Sequence, residues 1–226
     1  MPKILIAVMT CHKRLNTWVK AVRETWLPLV PKYADVRFFV GQGEPYWSVP
    51  SDTIRLDCPD DYAGIPEKVR AIMKWSVAHG YTHTLKCDDD VVLKPVPLLS
   101  SGYQNYDFIG KENRPLSPFP VPMGFNYWLS RKCAEIVSKS PLPIDHDDER
   151  WVAEMLSKEG ILLHNDDRYF LYSKKEYGVA RQGVKVPFRL GSRDNKEIFS
   201  RCIYLFEDED KNIEEFYRVY KMFGGL

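Results

Sequence analysis

Hydrophobic positions along the chain switch between two spacings. Ile4-Leu5-Ile6-Ala7-Val8-Met9, entered from Lys3, is an unbroken apolar run, the pattern of a central parallel strand covered on both faces. Val19, Val22, Arg23 and Trp26 recur at helical spacing. They predict a helix capped by Asn16, running to about Trp26 and ended by Pro28 and Pro31. Val36-Arg37-Phe38-Phe39-Val40 reads as a second strand closed by Gly41-Gln42-Gly43. Thr53-Ile54-Arg55-Leu56 reads as a short third strand leading into an acidic loop, Asp57 to Asp61. Val69, Ile72, Met73 and Val77 share one face of a helix predicted over 65–79, with Gly80 as its stop. A strand over 81–87 follows and runs into Asp88-Asp89-Asp90, after which Val91-Val92-Leu93 resumes the apolar character.

The second half is less regular. Pro115, Pro118, Pro120 and Pro122 lead to Gly124, and Ser130 is placed to cap a helix carrying Cys133, Ile136 and Val137. Trp151, Val152, Met155 and Leu156 predict a helix from about Asp148 to Glu159, closed by Gly160. Ile213, Phe216, Tyr217 and Tyr220 form one stripe of a last helix, and residues 174–196 read as a basic, mobile loop. Alternating strands and helices without an internal repeat predict one α/β domain built on a doubly wound sheet. In such sheets ligands collect beyond the carboxyl ends of the strands. Both the aspartate triplet and the Gly41 loop fall there.

Composition narrows the setting. The chain has 226 residues and a formal net charge of +1, so no general field draws it to nucleic acid or anionic membrane. The basic stretch 174–193 keeps nucleic acid open as a disfavoured partner. Five widely spaced cysteines contain no CxxC pair, which points to a reduced compartment and not to a disulfide framework. The apolar run at the N-terminus is too short to span a bilayer. The expectation is a soluble protein with a cytoplasmic location.

Several residues carry candidate chemistry. Three adjacent carboxylates at the end of a buried strand repel one another, and a hard dication such as Mn²⁺ or Mg²⁺ would relieve that charge; the bland alternative is a solvated acidic turn. Arg23 shares its helix face with apolar residues, which draws it inward toward an anion. The partner is either a carboxylate such as Asp57 or Asp60, or a bound nucleotide. Asp145-His146-Asp147-Asp148-Glu149 holds four acids at a helix start, more than capping requires. An ionised carboxylate there is suited to accept a proton from a substrate hydroxyl. Gly124 with Phe125-Asn126-Tyr127-Trp128 reads either as a sugar-contacting segment or as a turn with core aromatics. His164, at the end of a strand, is either structural or a metal ligand facing the aspartates.

These motifs together resemble the β-1,3-glycosyltransferases of the galactosyltransferase and Fringe group over about residues 4–165. Arg23-Glu24-Thr25-Trp26 matches that family's R-x-T-W, and Phe38-Phe39-Val40-Gly41 its apolar strand ending in glycine. Asp57, Asp60, Tyr62 and Lys68 fall at the spacings of D-F-x-D-x-Y-x-N-L-x-x-K, with Trp75 beyond. Lys86-Cys87-Asp88-Asp89-Asp90 is similar to K-x-D-D-D, the extended DxD motif. Gly124, Tyr127 and Ser130 fit G-x-x-Y-x-x-S, and Asp148 to Ala153 lies on E-D-V-Y-V-G.

The resemblance implies a GT-A-type, Rossmann-like mixed sheet flanked by helices. It divides the chain into a donor half (1–95), an acceptor half (96–170) and a C-terminal part (171–226). It also implies a nucleotide-sugar donor, UDP-linked in most members, and inverting transfer to an acceptor hydroxyl on a glycan. Asp90 and Asp88 would hold the metal, with His164 as a further ligand, and Asp88 would lie toward the ribose. Arg23, Asp60, Lys68, Asp88, Asp89 and Gly124 would bind the donor. Glu149 would be the base, with Asp148 as its substitute. The chain departs from the pattern in two places: the acidic pair reads D-E instead of E-D, and most glycines before Ser130 are missing. It also shows no anchor or stem, which fits a bacterial or viral enzyme, working within a larger glycan-assembly system. Three rivals stand beside this reading: a non-catalytic sugar-binding module, a nucleotidyltransferase, and transfer to a hydroxymethylated base in DNA.

Overall fold

A computed structural model describes residues 2–43, 49–114, 116–171, 200–202 and 208–223. The basic stretch 174–196 lies outside these residues.

The first apolar run forms β1 (Ile4–Met9). Its alternate side chains divide between two cores: Ile4, Ile6 and Val8 on one face, Leu5 and Ala7 on the other. The first helix, α1 (Trp18–Glu24), starts after Thr17 with no side-chain cap, so Asn16 is not its cap. It also stops short of Trp26. Pro28 does not end it but sits inside a following 3₁₀ turn, Leu27–Leu29, where proline near the first position is tolerated. β2 (Ala34–Gln42) and β3 (Thr53–Pro59) are each longer than expected, and β3 absorbs Asp57. α2 (Ile65–Ala78) buries Val69, Ile72 and Met73, and Gly80 adopts φ 77° after its end, the left-handed stop expected of glycine. β4 (His83–Asp88) ends inside the aspartate triplet, and β5 (Val91–Leu93) and α3 (Pro95–Leu99) follow.

β6 (Phe108–Glu112) and β7 (Pro122–Ser130) form an antiparallel pair. β7 takes in the end of the proline-rich stretch at Pro122 and the segment 125–128 that reads as a sugar contact or a turn, because alternation is masked where a strand is buried on both sides. Ser130 caps α4 (Arg131–Lys139), its hydroxyl accepting from the Cys133 amide at 3.4 Å. α5 (Asp148–Lys158) begins where expected, with the Asp147 side chain accepting from the Arg150 amide. β8 (His164–Asn165), β9 (Tyr169–Leu171), β10 (Ser200–Cys202) and α6 (Glu209–Met222) complete the described elements.

The main sheet has seven strands in the order β3-β2-β1-β4-β7-β6-β8. β3, β2, β1 and β4 are parallel. β7 then runs antiparallel to β4, so the start of β7 meets the end of β4. A three-stranded sheet, β5-β10-β9, stands apart in the hydrogen-bond pattern. The core on one face gathers α1 and α6, where Trp18 meets Phe216 edge-on at 6.0 Å. The opposite core gathers α2, α4 and α5. This is a mixed α/β sheet flanked by helices, as the family resemblance implies. Among the described residues no helix is long and apolar enough to cross a membrane.

Candidate active site

Parallel pairing sets Met9 of β1 against Asp88 of β4, so the loops leaving both strands face each other. Between them lies a cleft of about 620 Å³ lined by Met9, Thr10, Cys11, Arg14, Asp60, Asp61, Tyr62, Ile65, Lys68, Asp88, Asp89 and Asp90. Its volume falls in the range of small-molecule sites.

The protein answers part of the triplet's charge itself. Asp89, 1 % exposed, accepts from Thr10 Oγ1 at 2.6 Å and from Arg14 Nη1 at 2.6 Å. Burial pushes its carboxyl up to about 6 despite these partners. Asp60 is a tie between loops: Lys68 Nζ (2.7 Å), the His12 amide (2.8 Å), His12 Nδ1 (2.8 Å) and the Gly41 amide (2.6 Å) all reach it. Burial acts to raise its pKa, but these bonds outweigh it and hold the carboxyl below its ordinary value. Lys68 also donates to the Thr10 carbonyl at 2.8 Å. The sequence-predicted Asp60 and Lys68 therefore come together at the cleft, as parts of its frame.

Lys86 connects the triplet to the second acidic cluster. It is 1 % exposed and donates to Asp88 Oδ1 at 2.6 Å and to the Gly124 carbonyl, with Asp148 Oδ2 4.0 Å away. Burial pulls its pKa down, yet Asp88 and Asp148 more than offset this and keep it raised. Gly124 in turn lies against Glu149: a Cβ built there would come 3.0 Å from Glu149 Oε2. Arg114, in the connection after β6, grips Asp147 with both terminal nitrogens and reaches Glu149 Oε1 at 3.2 Å. Asp88, Lys86, Gly124, Asp148 and Glu149 thus form one continuous constellation.

Asp148 and Glu149 differ in character. Asp148 is buried, and Oδ2 has no hydrogen-bond partner among the described residues. Desolvation drives its pKa well up; Lys86 opposes this, while Glu149 and Asp88 add to it. At Asp148 burial thus works against the ionisation that a helix start favours, with Lys86 opposing burial's effect. Glu149 is the more accessible of the two, with its side chain 20 % exposed.

Two predicted site residues are corrected, and one open reading is decided. Arg23 pairs with neither Asp57 nor Asp60: Nε and Nη2 grip Asp52 at 3.0 and 2.7 Å, with its guanidinium over the Phe38 ring. It is absent from the cleft lining and acts as a brace between α1 and the start of β3. His164 is exposed on the edge strand β8, stacked 3.8 Å from Tyr106. Two strands, β6 and β7, separate it from β4, so it does not face the aspartates. Tyr127 and Trp128 are core aromatics, Trp128 stacking on Tyr103 at 3.9 Å.

Thr10, Arg14 and Arg114 were not singled out by the sequence patterns, and Lys86 only as a motif letter. A lysine inside an apolar strand two residues before an acid was a signal for Lys86. The Thr10–Arg14 loop faces the triplet only because β1 pairs with β4, which local spacing does not display. Arg114 sends no signal, since its partners lie over 30 residues away.

The cleft suits a hard cation in one respect. Five carboxylates line it against two cations, Arg14 and Lys68, so an anionic ligand would meet excess negative charge. Among the described residues, no group of three or more His, Cys, Asp or Glu side chains could hold a metal alone. An ion shared by Asp90, Asp88 and an anionic ligand's oxygens fits this donor set.

Strand order and direction, with helices on both faces, give a GT-A-type mixed α/β fold. The chain is similar to a crystal structure of a glycosyltransferase involved in the glycosylation of the major capsid of PBCV-1. The TM-score is 0.55 at 13 % identity, covering 96 % of this chain and 100 % of that one. More distant likenesses are to a protein described as a nucleotide-diphospho-sugar transferase from Desulfovibrio desulfuricans G20 (TM-score 0.49, 12 % identity, 74 % of this chain and 80 % of that one) and to the apo-form glycosyltransferase GlyE in Streptococcus pneumoniae TIGR4 (0.44, 8 %, 75 % and 46 %). The fold assignment rests on the first. No protein-family model matches the chain, and no curated protein matches it in sequence.

Proposed function

We propose that this chain is a metal-dependent inverting glycosyltransferase. It moves a sugar from a nucleotide-sugar donor, UDP-linked, to an acceptor hydroxyl on a glycan, in the cytoplasm of a bacterial or virus-infected cell. The narrower kinship with the β-1,3 group is carried by the sequence motifs alone. The observation that carries the reading is the Lys86 bridge, which holds the triplet and the Glu149 segment together at one end of the sheet.

In this reading Met9 to Arg14 and the Asp60–Lys68 frame receive the donor. The acceptor approaches from the α5 side. Glu149 takes the acceptor hydroxyl's proton as the acceptor oxygen bonds to the anomeric carbon. The bond from that carbon to the nucleotide's distal phosphate oxygen breaks, and the electron pair leaves with the diphosphate. When bound by Asp90 and Asp88, a dication supplies charge neutralisation for the departing diphosphate. Arg114 orients Glu149 by its contact with Oε1, and Asp148 stands as its substitute.

The test is a thermal-shift panel of nucleotide sugars with and without Mn²⁺, repeated on Asp90→Ala. Ligand binding to the native state alone raises Tm by mass action. One nucleotide sugar should stabilise the wild type in a Mn²⁺-dependent way, and Asp90→Ala should abolish the effect. UDP affinity indifferent to a chelator would refute the metal role, and no response to any nucleotide sugar would refute the donor class.

A further inference from the structure

The proposed reaction uses the cleft's polar floor but leaves its most exposed aromatic without a task. Tyr62 lines the cleft and is 69 % exposed. Single exposed aromatics are ordinary on protein surfaces, so exposure alone says nothing. Position and company distinguish this one. The Tyr62 ring meets the ring of His146 edge-on, centroids 6.3 Å apart at 71°. His146 is itself exposed, and Ile144, two residues earlier, is fully so. Tyr62 stands in the turn leading into α2, and His146 in the segment leading into α5, three residues before Glu149. The turn that lines the cleft and the segment leading into the helix that bears Glu149 therefore meet through two exposed rings.

We propose that Tyr62 and His146 form the platform on which a pyranoside acceptor lies, a deepening that rests on the transferase reading. A pyranose presents ring C–H groups on one face and hydroxyls around its edge. An exposed tyrosine ring takes the C–H face, and the imidazole edge offers a hydrogen-bond partner to a hydroxyl. The choice between acceptor sugar and donor nucleobase follows from the contact made. Tyr62 leans on the segment that carries Glu149, the side from which an acceptor hydroxyl must arrive. On the nucleotide side Asp60 ties the β1, β2 and α2 loops together without Tyr62.

Methyl pyranosides (glucoside, galactoside, mannoside and xyloside) serve as probes in saturation-transfer-difference NMR, with UDP and Mn²⁺ present. UDP affinity is measured in parallel by calorimetry. Saturation should enter through the axial ring protons of at least one pyranoside. Tyr62→Ala should weaken that pyranoside about tenfold while Tyr62→Trp retains it. UDP affinity should stay within about twofold in both, because the exposed ring turns to His146 while the Asp60 ties hold the donor loops without it. An unchanged Tm confirms that each variant is folded, as expected for so exposed a side chain. Loss of UDP affinity in Tyr62→Ala would overturn the proposal and hand the ring to the nucleobase; so would pyranoside signals indifferent to Tyr62, or none in the wild type. The two readings fail separately: pyranosides bound through Tyr62 by a protein that no nucleotide sugar stabilises would sink the transferase and leave the saccharide site standing.

Discussion

Replacing Lys86 by methionine isolates the bridge on which the site depends. Lys86 is fully enclosed, and its ammonium is the one cation in hydrogen-bond contact with Asp88 among the bonds described. Methionine keeps most of the side chain's volume but removes the charge and the hydrogen bonds to Asp88 and the Gly124 carbonyl, leaving Asp88 and Asp148 in low dielectric. Removing one partner of a buried ion pair costs about 3–5 kcal/mol. Asp88 is 29 % exposed and keeps some hydration, so a loss of about 3 kcal/mol near pH 8 is expected. That is a large share of the roughly 5–15 kcal/mol that holds a domain folded.

The pH dependence follows from the direction of the carboxyl shifts. Asp88 and Asp148 are both raised by burial, with Lys86 the main opposing influence. The folded state thus binds more protons than the unfolded state above the ordinary carboxyl value, and stability falls as pH rises through that window. Without Lys86 both shifts grow, the window extends upward, and the variant's deficit widens with pH. Near pH 5 the stranded carboxyls take up protons and the deficit should shrink to about 1 kcal/mol. Urea unfolding followed by tryptophan fluorescence, with chelator present, measures both values, and an unchanged slope confirms that the same surface is exposed. A deficit below about 1 kcal/mol near pH 8, or one equal at both pH values, would refute the electrostatic account.

Three further substitutions separate the roles. Glu149→Gln should leave UDP affinity near the wild-type value by calorimetry while transfer falls by about 10²-fold or more, as expected on losing a general base. Gly124→Ala should lower the transfer rate about tenfold with little change in Tm, because the new methyl meets the Glu149 carboxylate at 3.0 Å and displaces it. Arg23→Ala should reduce stability by about 1–2 kcal/mol in urea unfolding through loss of the Asp52 grip, with UDP binding unchanged; weakened UDP binding would return Arg23 to the donor site.

What was legible in the sequence is what local spacing encodes. The unbroken run of β1, the helical stripe of α2, and the stops at Gly80 and Gly160 are read from neighbours within one or two turns, and they hold in the structure. The triplet was legible because like charges after an apolar strand demand an explanation. Partner identities were not. Arg23 faces inward as its spacing implies, but whether Asp52, Asp57 or Asp60 meets it depends on how β3 is placed. His164 was misjudged because strand order, invisible in a single chain, sets it two strands away from the aspartates. At Asp148 a helix start argues for ionisation while burial argues against it, and neither that burial nor the approach of Lys86 from β4 is visible in the local sequence.

The antiparallel seam between β4 and β7 carries one more implication. Residues 83–87 are laddered to 126–130 without interruption, so the strand delivering Asp88 and the strand delivering Gly124 form one rigid plank. Under the proposed reaction, acceptor preference would then reside in surface segments beside that plank, among them the turn before α2 and the stretch before α5 that carry Tyr62 and His146. Exchanging those segments would be the economical way to redirect the proposed transfer while leaving the plank as it stands.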